Sequence, residues 1–161
     1  MQFKNLKAAE LDGRVDLPGL AEWIRELRGD EVALLITAPA GTGKSAAVGA
    51  IARKLKRDVM QCDLLQVFRY PDSREALRNI LTIAENLRHI LFQAEGIDRI
   101  SERFAQTGDA GALEDVREWL ATKRNHLREH EVTFVATGRS AGAVPAALRA
   151  QFEQAFAPVA G

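Results

Sequence analysis

The sequence predicts a three-layer α/β fold in which a mostly parallel sheet is flanked by helices. Short apolar runs alternate with longer segments whose apolar residues recur every three or four positions, which is the pattern of strands alternating with helices. The first clear apolar run leads through a glycine-rich segment directly into a helical pattern. Strands buried on both faces of a parallel sheet have such continuous apolar runs.

Length and composition indicate one domain over residues 1–161. The 22 basic and 22 acidic residues cancel and form no long run of one sign, so neither nucleic acid nor a membrane surface is an expected partner. The only cysteine, Cys62, cannot form an internal disulfide and is expected to be a small buried side chain in a reducing cytosol. Because no apolar leader or run of about 18 apolar residues is present, we expect a cytoplasmic protein.

The apolar spacing predicts the positions of the helices and strands. An amphipathic N-terminal helix is predicted at about 17–28, ending before Gly29. Asp72 or Ser73 caps a later helix, and Glu75 is placed for a capping box if Asp72 is the cap. The predicted strands are 32–37, 59–62, 90–94 and 132–136, and the other predicted helices are 44–55, 73–87, 113–127 and 145–152.

The segment 89–100, HILFQAEGIDRI, has two interpretations. As a helix it would continue the apolar stripe of the preceding helix through Leu87, Ile90 and Leu91. As a strand over 90–94 it would end naturally before Gly96 and would add a central strand to the sheet. We favour the strand.

Residues 38–45, APAGTGKS, match the phosphate-loop pattern G-x-x-x-x-G-K-[ST] except at the first position. The two glycines let backbone N–H groups converge on a phosphate, Lys44 is expected to reach the β- and γ-phosphates, and Ser45 to ligate Mg²⁺. The dipole of the following helix favours the same anion. ATP or ADP with Mg²⁺ is therefore the predicted ligand. The predicted nucleotide contacts are Ala38, Pro39, Ala40, Gly41, Thr42, Gly43, Lys44, Ser45 and Ala46.

With TAPAGTGKS, CDLLQVF, SREALRNILTIAE, ILFQAEGIDRI and VTFVATGRSAGAVPAALRAQF in this order, the chain resembles the large α/β subdomain of AAA+ ATPases. The resemblance runs from about Leu17 to Pro158. It implies a P-loop NTPase fold with a mostly parallel five-stranded sheet. Because the chain ends where the last core strand of the family ends, we also expect an isolated subdomain without the helical lid.

The second family motif is an apolar strand that ends in Asp-Glu. Aligned from one side, this pair falls on Ala94 and Glu95, and aligned from the other side it falls on Glu95 and Gly96. Only one carboxylate remains in either alignment. The resemblance implies that Glu95 serves as the Mg²⁺ partner or as the catalytic base. The other interpretation of Glu95 is a solvated loop acid.

The third motif places a polar residue, usually asparagine, at the end of the next strand, where it positions water. Gly138 matches this position and has no side chain, so Thr137 and Arg139 are the neighbouring candidates to replace it. These departures imply a family member whose hydrolytic residues are altered.

An arginine just before a phenylalanine acts in the family on the nucleotide of a neighbouring subunit. Here Ala150 and Gln151 precede Phe152, and Arg149 lies out of register. Such an arginine contributes about 10³ to 10⁵ in rate, and a positioned general base about 10² to 10⁴. The sequence therefore predicts an ATP-binding protein with weak or no intrinsic hydrolysis.

We interpret the chain as a regulatory or assembly module that meets a protein partner, or a second copy, through its nucleotide-bearing face. The alternative is an active ATPase that a partner chain completes. A small-molecule or nucleoside kinase is a third hypothesis. Neither an arginine-rich lid nor a second acceptor-binding motif supports the kinase.

Overall fold

A computed structural model describes residues 1–8, 18–39 and 44–157. Its helices and strands alternate along most of the chain, as the apolar spacing predicts. The strands are β1 (Lys4–Leu6), β2 (Ala33–Thr37), β3 (Asp58–Asp63), β4 (Ile90–Glu95), β5 (Val132–Gly138) and β6 (Gln154–Phe156). The helices are α1 (Leu20–Glu26), α2 (Lys44–Leu55), α3 (Ser73–Glu85), α4 (Ile97–Gln106), α5 (Gly111–Thr122), α6 (Arg124–Glu129) and α7 (Ala146–Arg149), with 3₁₀ helices at Leu64–Arg69 and Ala141–Ala143.

The strands form one sheet in the order β1-β3-β4-β5-β2-β6. All neighbouring strands are parallel except β1, which pairs with β3 in the antiparallel direction. The predicted fold class is confirmed, but the described sheet has six strands where five were predicted. The additional strand is β1, whose three residues are too few to show the alternation by which strands are recognised.

Two apolar layers cover the sheet, as expected of a three-layer fold. On one face, α3, α4 and α5 pack over the sheet, and the ring of Phe134 contacts the rings of Phe92 and Trp119 at centroid distances of 6.0 and 5.3 Å. On the other face, α1 and α2 pack over β2, with Trp23 against Phe156 at 5.4 Å. The helix after the glycine-rich segment therefore lies on the face opposite to α4.

The ambiguous segment is a strand, as we predicted. Every residue of β4 pairs with β3 on one side and β5 on the other. Asp72 is the cap of α3, because its side chain accepts a hydrogen bond from the backbone N–H of Glu75 at 3.0 Å. The predicted helix at 113–127 is instead two helices, α5 and α6, which meet at Lys123.

The sequence reasoning did not identify helix α4. Its buried residues Ile97, Ile100 and Phe104 recur every three or four positions, which is the signal that predicts an amphipathic helix. This helix matters for function because it begins immediately after β4. The described part of the N-terminal helix is α1, and residue 17 lies outside the described residues.

Candidate nucleotide-binding site

A cleft of about 360 Å³ lies at the carboxyl edge of the sheet, beside the first residues of α2. Parallel strands all end at the same edge, so the residues that follow them meet there, and ligands of α/β proteins bind outside these strand ends. The cleft brings together residues from four separate parts of the chain. Its lining residues are Lys44, Ser45, Asp63, Leu65, Glu95, Gly96, Asp98, Arg99, Thr137, Gly138 and Arg139.

The Lys44 side chain crosses the end of the sheet. Its Nζ donates to the carbonyl oxygen of Ala38 at 3.2 Å and lies 3.4 Å from that of Gly138. The backbone N–H of Ala38 also donates to Gly138 at 3.0 Å, so β2 and β5 are joined where the ammonium group lies. Ser45 follows in the first turn of α2 and is exposed. An anion at the start of α2 would meet both groups.

The predicted contacts divide into three sets. Lys44 and Ser45 line the cleft. Ala38 and Pro39 directly follow β2, and Ala46 lies in the first turn of α2. The predictions for Ala40, Gly41, Thr42 and Gly43 fall on residues 40–43, which lie outside the described residues, and they stay predictions.

Glu95 ends β4 at the cleft, with an exposed side chain, whereas Ala94 is fully buried in the apolar layer. The register places Glu95 directly between Asp63 on β3 and Thr137 on β5. In-register residues of parallel neighbours extend toward the same face of a sheet. Asp63 therefore supplies a second carboxylate beside Glu95 that the sequence reasoning missed. An acid at the carboxyl end of a predicted parallel strand was the available signal.

Gly96 makes a tight turn between β4 and α4. Its φ of +89° is in the left-handed region, where glycine is favoured, and its N–H donates to the carbonyl oxygen of Thr137 at 2.9 Å. The turn places Asp98 beside the end of β5. There Asp98 Oδ2 accepts hydrogen bonds from the backbone N–H groups of Arg139 at 2.9 Å and Ser140 at 3.2 Å.

Asp98 and Thr137 are polar residues that are 4% and 1% exposed. Within the described ranges, Asp98 Oδ1 and Thr137 Oγ1 have no hydrogen-bond partner. Buried polar atoms are nearly always satisfied by protein groups or by ordered water, so these two atoms have capacity for a further hydrogen bond at the cleft. Arg149, by contrast, lies on α7 and is not among the lining residues of the cleft.

Mg²⁺ prefers oxygen ligands and usually keeps several waters, bound through one or two carboxylates and substrate phosphates. The Ser45 hydroxyl and the carboxylates of Asp63 and Glu95 are groups of this kind at one cleft. Among residues 1–8, 18–39 and 44–157 no cluster of three or more His, Cys, Asp or Glu side chains could hold a metal ion by itself. The residues therefore fit a magnesium ion that is bound jointly with a nucleotide.

A family model matches residues 34–157 of the chain and is described as the ATPase family associated with various cellular activities, AAA. Among solved structures, a chain from a study of katanin self-assembly is 17% identical with a TM-score of 0.62, covering 96% of this chain and 56% of that one. The FIGL-1 AAA domain is 17% identical with a TM-score of 0.61, covering 94% and 54%. The FIGL-1 AAA domain in complex with ADP is 15% identical with a TM-score of 0.66, covering 97% and 57%.

The fold is that of an α/β protein of the P-loop class. Because the family model matches most of the chain, the protein belongs to the AAA family of ATPases. The chain spans little more than half the length of the solved chains that it resembles. A comparison with curated proteins gave no match. None of the helices in the described ranges is both long and apolar enough to span a membrane.

Proposed function

We propose that the chain binds ATP or ADP together with Mg²⁺ in the cleft at the carboxyl edge of the sheet. The position of Lys44 is the observation that carries this proposal. Its ammonium group lies between the ends of β2 and β5, at the first residue of α2. Lysine charge and helix dipole act together there on an anion, which is the arrangement that P-loop proteins use for phosphate.

Membership of the AAA family supports the proposal that the ligand is a nucleotide. The FIGL-1 AAA domain, which has a similar fold, has been solved with ADP. The Ser45 hydroxyl would complete the Mg²⁺ shell with the phosphates, waters and the carboxylate of Glu95 or Asp63. When bound, the metal ion would supply positive charge that offsets the charge of the phosphates.

We further propose that hydrolysis by the isolated chain is weak or absent. The position before Glu95 is a fully buried alanine, Ala94, and the position at the end of β5 is Gly138, which has no side chain to hold water. Each such group contributes about 10² or more in rate where it is present. Ground-state binding rests on Lys44, Ser45 and backbone groups, so binding is expected to survive while turnover is reduced. The proposed role is a regulatory or assembly module.

Partner binding follows from the same site. Glu95, Arg99 and Arg139 are exposed at the cleft, so a protein partner or a second copy that docks there would contact groups next to the nucleotide. An active ATPase completed by another chain is the second candidate, and the pairing of Asp63 with Glu95 favours it because it restores two carboxylates. Light scattering with and without ATP, alone and with a candidate partner, tests this docking.

Calorimetry with ADP and Mg²⁺ tests nucleotide binding. Wild type is expected to bind, and Lys44→Ala to lose most of the affinity because the phosphate loses its cation. Lys7→Ala is the control, since Lys7 is an exposed lysine paired with Asp58 away from the cleft. Equally negligible heats from wild type and Lys44→Ala would refute the proposal.

Phosphate release measures the second part of the proposal. The purified chain is expected to turn over more slowly than about 1 s⁻¹, the low edge of typical values. Glu95→Gln and Asp63→Asn, made separately, show which carboxylate supports any residual rate. Fast turnover that needs no partner would mean that the altered motifs do not limit hydrolysis.

A further inference from the structure

We infer that the imidazole rings of His126 and His130 together bind one divalent transition-metal ion, with water completing its ligand shell. The pair lies where β5 begins, at the edge of the sheet opposite to the nucleotide cleft. It shares no residue with that cleft, so the inference is independent of the proposed nucleotide binding. Imidazole suits ions such as Zn²⁺, Ni²⁺ and Cu²⁺, whereas Mg²⁺ prefers oxygen ligands.

The two histidines have the spacing of a helical ligand pair. His126 lies on α6, and His130 immediately follows the last residue of that helix. The N–H of His130 donates to the carbonyl oxygen of His126 at 3.1 Å, so the helical hydrogen-bond pattern continues to His130. Residues four positions apart are neighbours on one face of a helix, and two histidines at this spacing can bind one zinc ion.

The two rings are close enough to share an ion. Their centroids are 4.0 Å apart, with 53° between the ring planes. Imidazole nitrogens bind zinc at about 2.0–2.1 Å, so two ligand nitrogens of one ion lie roughly 3 Å apart. Small rotations of rings in this position are sufficient to present two nitrogens at that separation.

The hydrogen bond of His126 leaves its other ring nitrogen available for a metal. Nε2 is 2.8 Å from the carbonyl oxygen of Glu85, the last residue of α3. A carbonyl oxygen only accepts, so Nε2 carries the hydrogen and the neutral ring keeps a lone pair on Nδ1. In the described ranges no hydrogen bond occupies this Nδ1. Histidines that bind metals almost always donate their other N–H to a carbonyl or a carboxylate in this way.

His130 supplies the second nitrogen. Its Nδ1 is buried and has no hydrogen-bond partner among the residues that the structure describes, although buried polar atoms are nearly always satisfied. The backbone of His130 is held on both sides, because its carbonyl oxygen also accepts the N–H of His89 at 2.8 Å. An ion between the rings would satisfy Nδ1 without a change in the backbone.

The nearest carboxylate is already engaged. Glu85 Oε2 lies 3.1 Å from Lys123 Nζ, and Trp119 Nε1 is 3.4 Å from Glu85 Oε1. In the part of the chain that the structure describes, no third His, Cys, Asp or Glu side chain completes a metal-holding group. The site therefore offers two protein ligands and leaves the other positions to water. We expect weaker binding than in a structural zinc site, which has four protein ligands.

Calorimetric titration with Zn²⁺ tests the inference, with Mg²⁺ in excess to compete for the carboxylates of the cleft and without nucleotide. Wild type is expected to bind one ion. His126→Ala and His130→Ala, made separately, should each weaken binding at least roughly 10- to 100-fold, because even the loss of an outer-shell partner has that effect. His89→Asn is the control. The His89 ring contacts the carbonyl oxygen of Lys56 and the carboxylate of Glu131 instead, and asparagine tolerates its φ of +51°.

Phenylalanine variants separate metal binding from ring packing. His126→Phe and His130→Phe keep an aromatic ring but remove the ligand nitrogens. Zn²⁺ should raise the thermal unfolding temperature of wild type and of His89→Asn, because a ligand that binds only the folded state stabilises it. The same ion should give neither phenylalanine variant this increase.

Three results would overturn the inference. Wild type might show no zinc binding, or the alanine and phenylalanine variants could bind as tightly as wild type, which would place the ion elsewhere. An equal loss in His89→Asn would assign the ion to the third histidine. Each of these results leaves the proposed nucleotide binding intact. Conversely, a failure to bind ADP would reject the proposed function and not this site.

Discussion

Asp98 occupies the space that a side chain at Gly138 would need. A Cβ atom added to Gly138 would lie 2.6 Å from Asp98 Oδ1 and 2.9 Å from its Cγ, which is closer than packed atoms approach. The carboxylate meanwhile holds the loop after β5 through two backbone hydrogen bonds. The packing of Asp98 therefore explains why this position is a glycine.

Gly138→Ala is expected to lower the free energy of unfolding by about 1–3 kcal/mol, the usual cost of overpacking. Denaturant or thermal unfolding measures it. Gly142→Ala is the control, because the nearest atom to its added Cβ, Ser140 Oγ, is 3.7 Å away, an ordinary contact. A change within about 0.5 kcal/mol is expected for that surface position. Equal effects of the two substitutions would contradict the clash.

The clash also predicts that the effects of Gly138→Ala and Asp98→Ala on the free energy of unfolding are not additive. Removing the carboxylate frees the space, so Gly138→Ala should cost less in the Asp98→Ala background than in wild type. Contacting residues show coupling of this kind, whereas distant ones add. Additive effects in the double variant would show that the two residues do not compete for one volume.

Gly96→Ala is expected to destabilise the protein by roughly 1–2 kcal/mol, the cost of a left-handed backbone for a residue with a Cβ. Space is not the cause, since the nearest atom to the added Cβ, Leu65 Cγ, is 3.8 Å away. Gly96→Asn should cost less, because asparagine tolerates this conformation better. An alanine variant as stable as wild type would mean that the turn can change its backbone conformation.

The Asp115 carboxylate is predicted to stabilise the protein only above acid pH. Arg74, and then Arg78, hydrogen-bond it at 2.7 and 3.0 Å and hold its pKa below the ordinary value. A lowered folded-state pKa adds stability above the unfolded pKa, near 4, and this is lost as pH falls through the folded value. Asp115→Asn should therefore destabilise the protein at pH 7, by less than about 1 kcal/mol for a partly exposed pair.

Unfolding measured from pH 7 to pH 3 checks this pH dependence. The difference between Asp115→Asn and wild type should shrink toward the acid end, as wild type loses the charged interaction. Glu118→Gln on the same helix is the control, because Glu118 is exposed and its replacement should change stability little at any pH. A pH-independent effect of Asp115→Asn would indicate a steric cause.

Cys62 is expected to be inert toward thiol reagents in the native protein. It is fully buried, and burial raises the pKa of its thiol to about 12, although Gln66 Nε2 donates a hydrogen bond to Sγ at 3.3 Å. At pH 8 only roughly one thiol in ten thousand would be ionised, and the thiolate is the reactive form. Reaction with a disulfide reagent should therefore need denaturant. Rapid stoichiometric labelling in native buffer would show that β3 opens locally.

Much of the fold is encoded in local patterns. Burial against a sheet produces recognisable residue patterns. Strands β2 and β5 are continuous apolar runs, and the helix over 44–55 has apolar residues at helical spacing. Short edge strands have no such sequence pattern. Strands β1 and β6 are recognised only by their pairing with neighbouring strands. The break between α5 and α6 at Lys123 likewise cannot be predicted from the sequence, because no glycine or proline lies there.

The phosphate-loop pattern and the isolated carboxylate Glu95 can be read from the chain alone, because each is a matter of residue type and spacing. The pairing of Asp63 with Glu95, and the meeting of Asp98 with Gly138 and Arg139, depend on which strands become neighbours and in what register. Those contacts join residues 32 to 41 positions apart, and no local pattern specifies a pairing at that distance. The charge balance and the geometry of the cleft were therefore decided by the packing of the sheet.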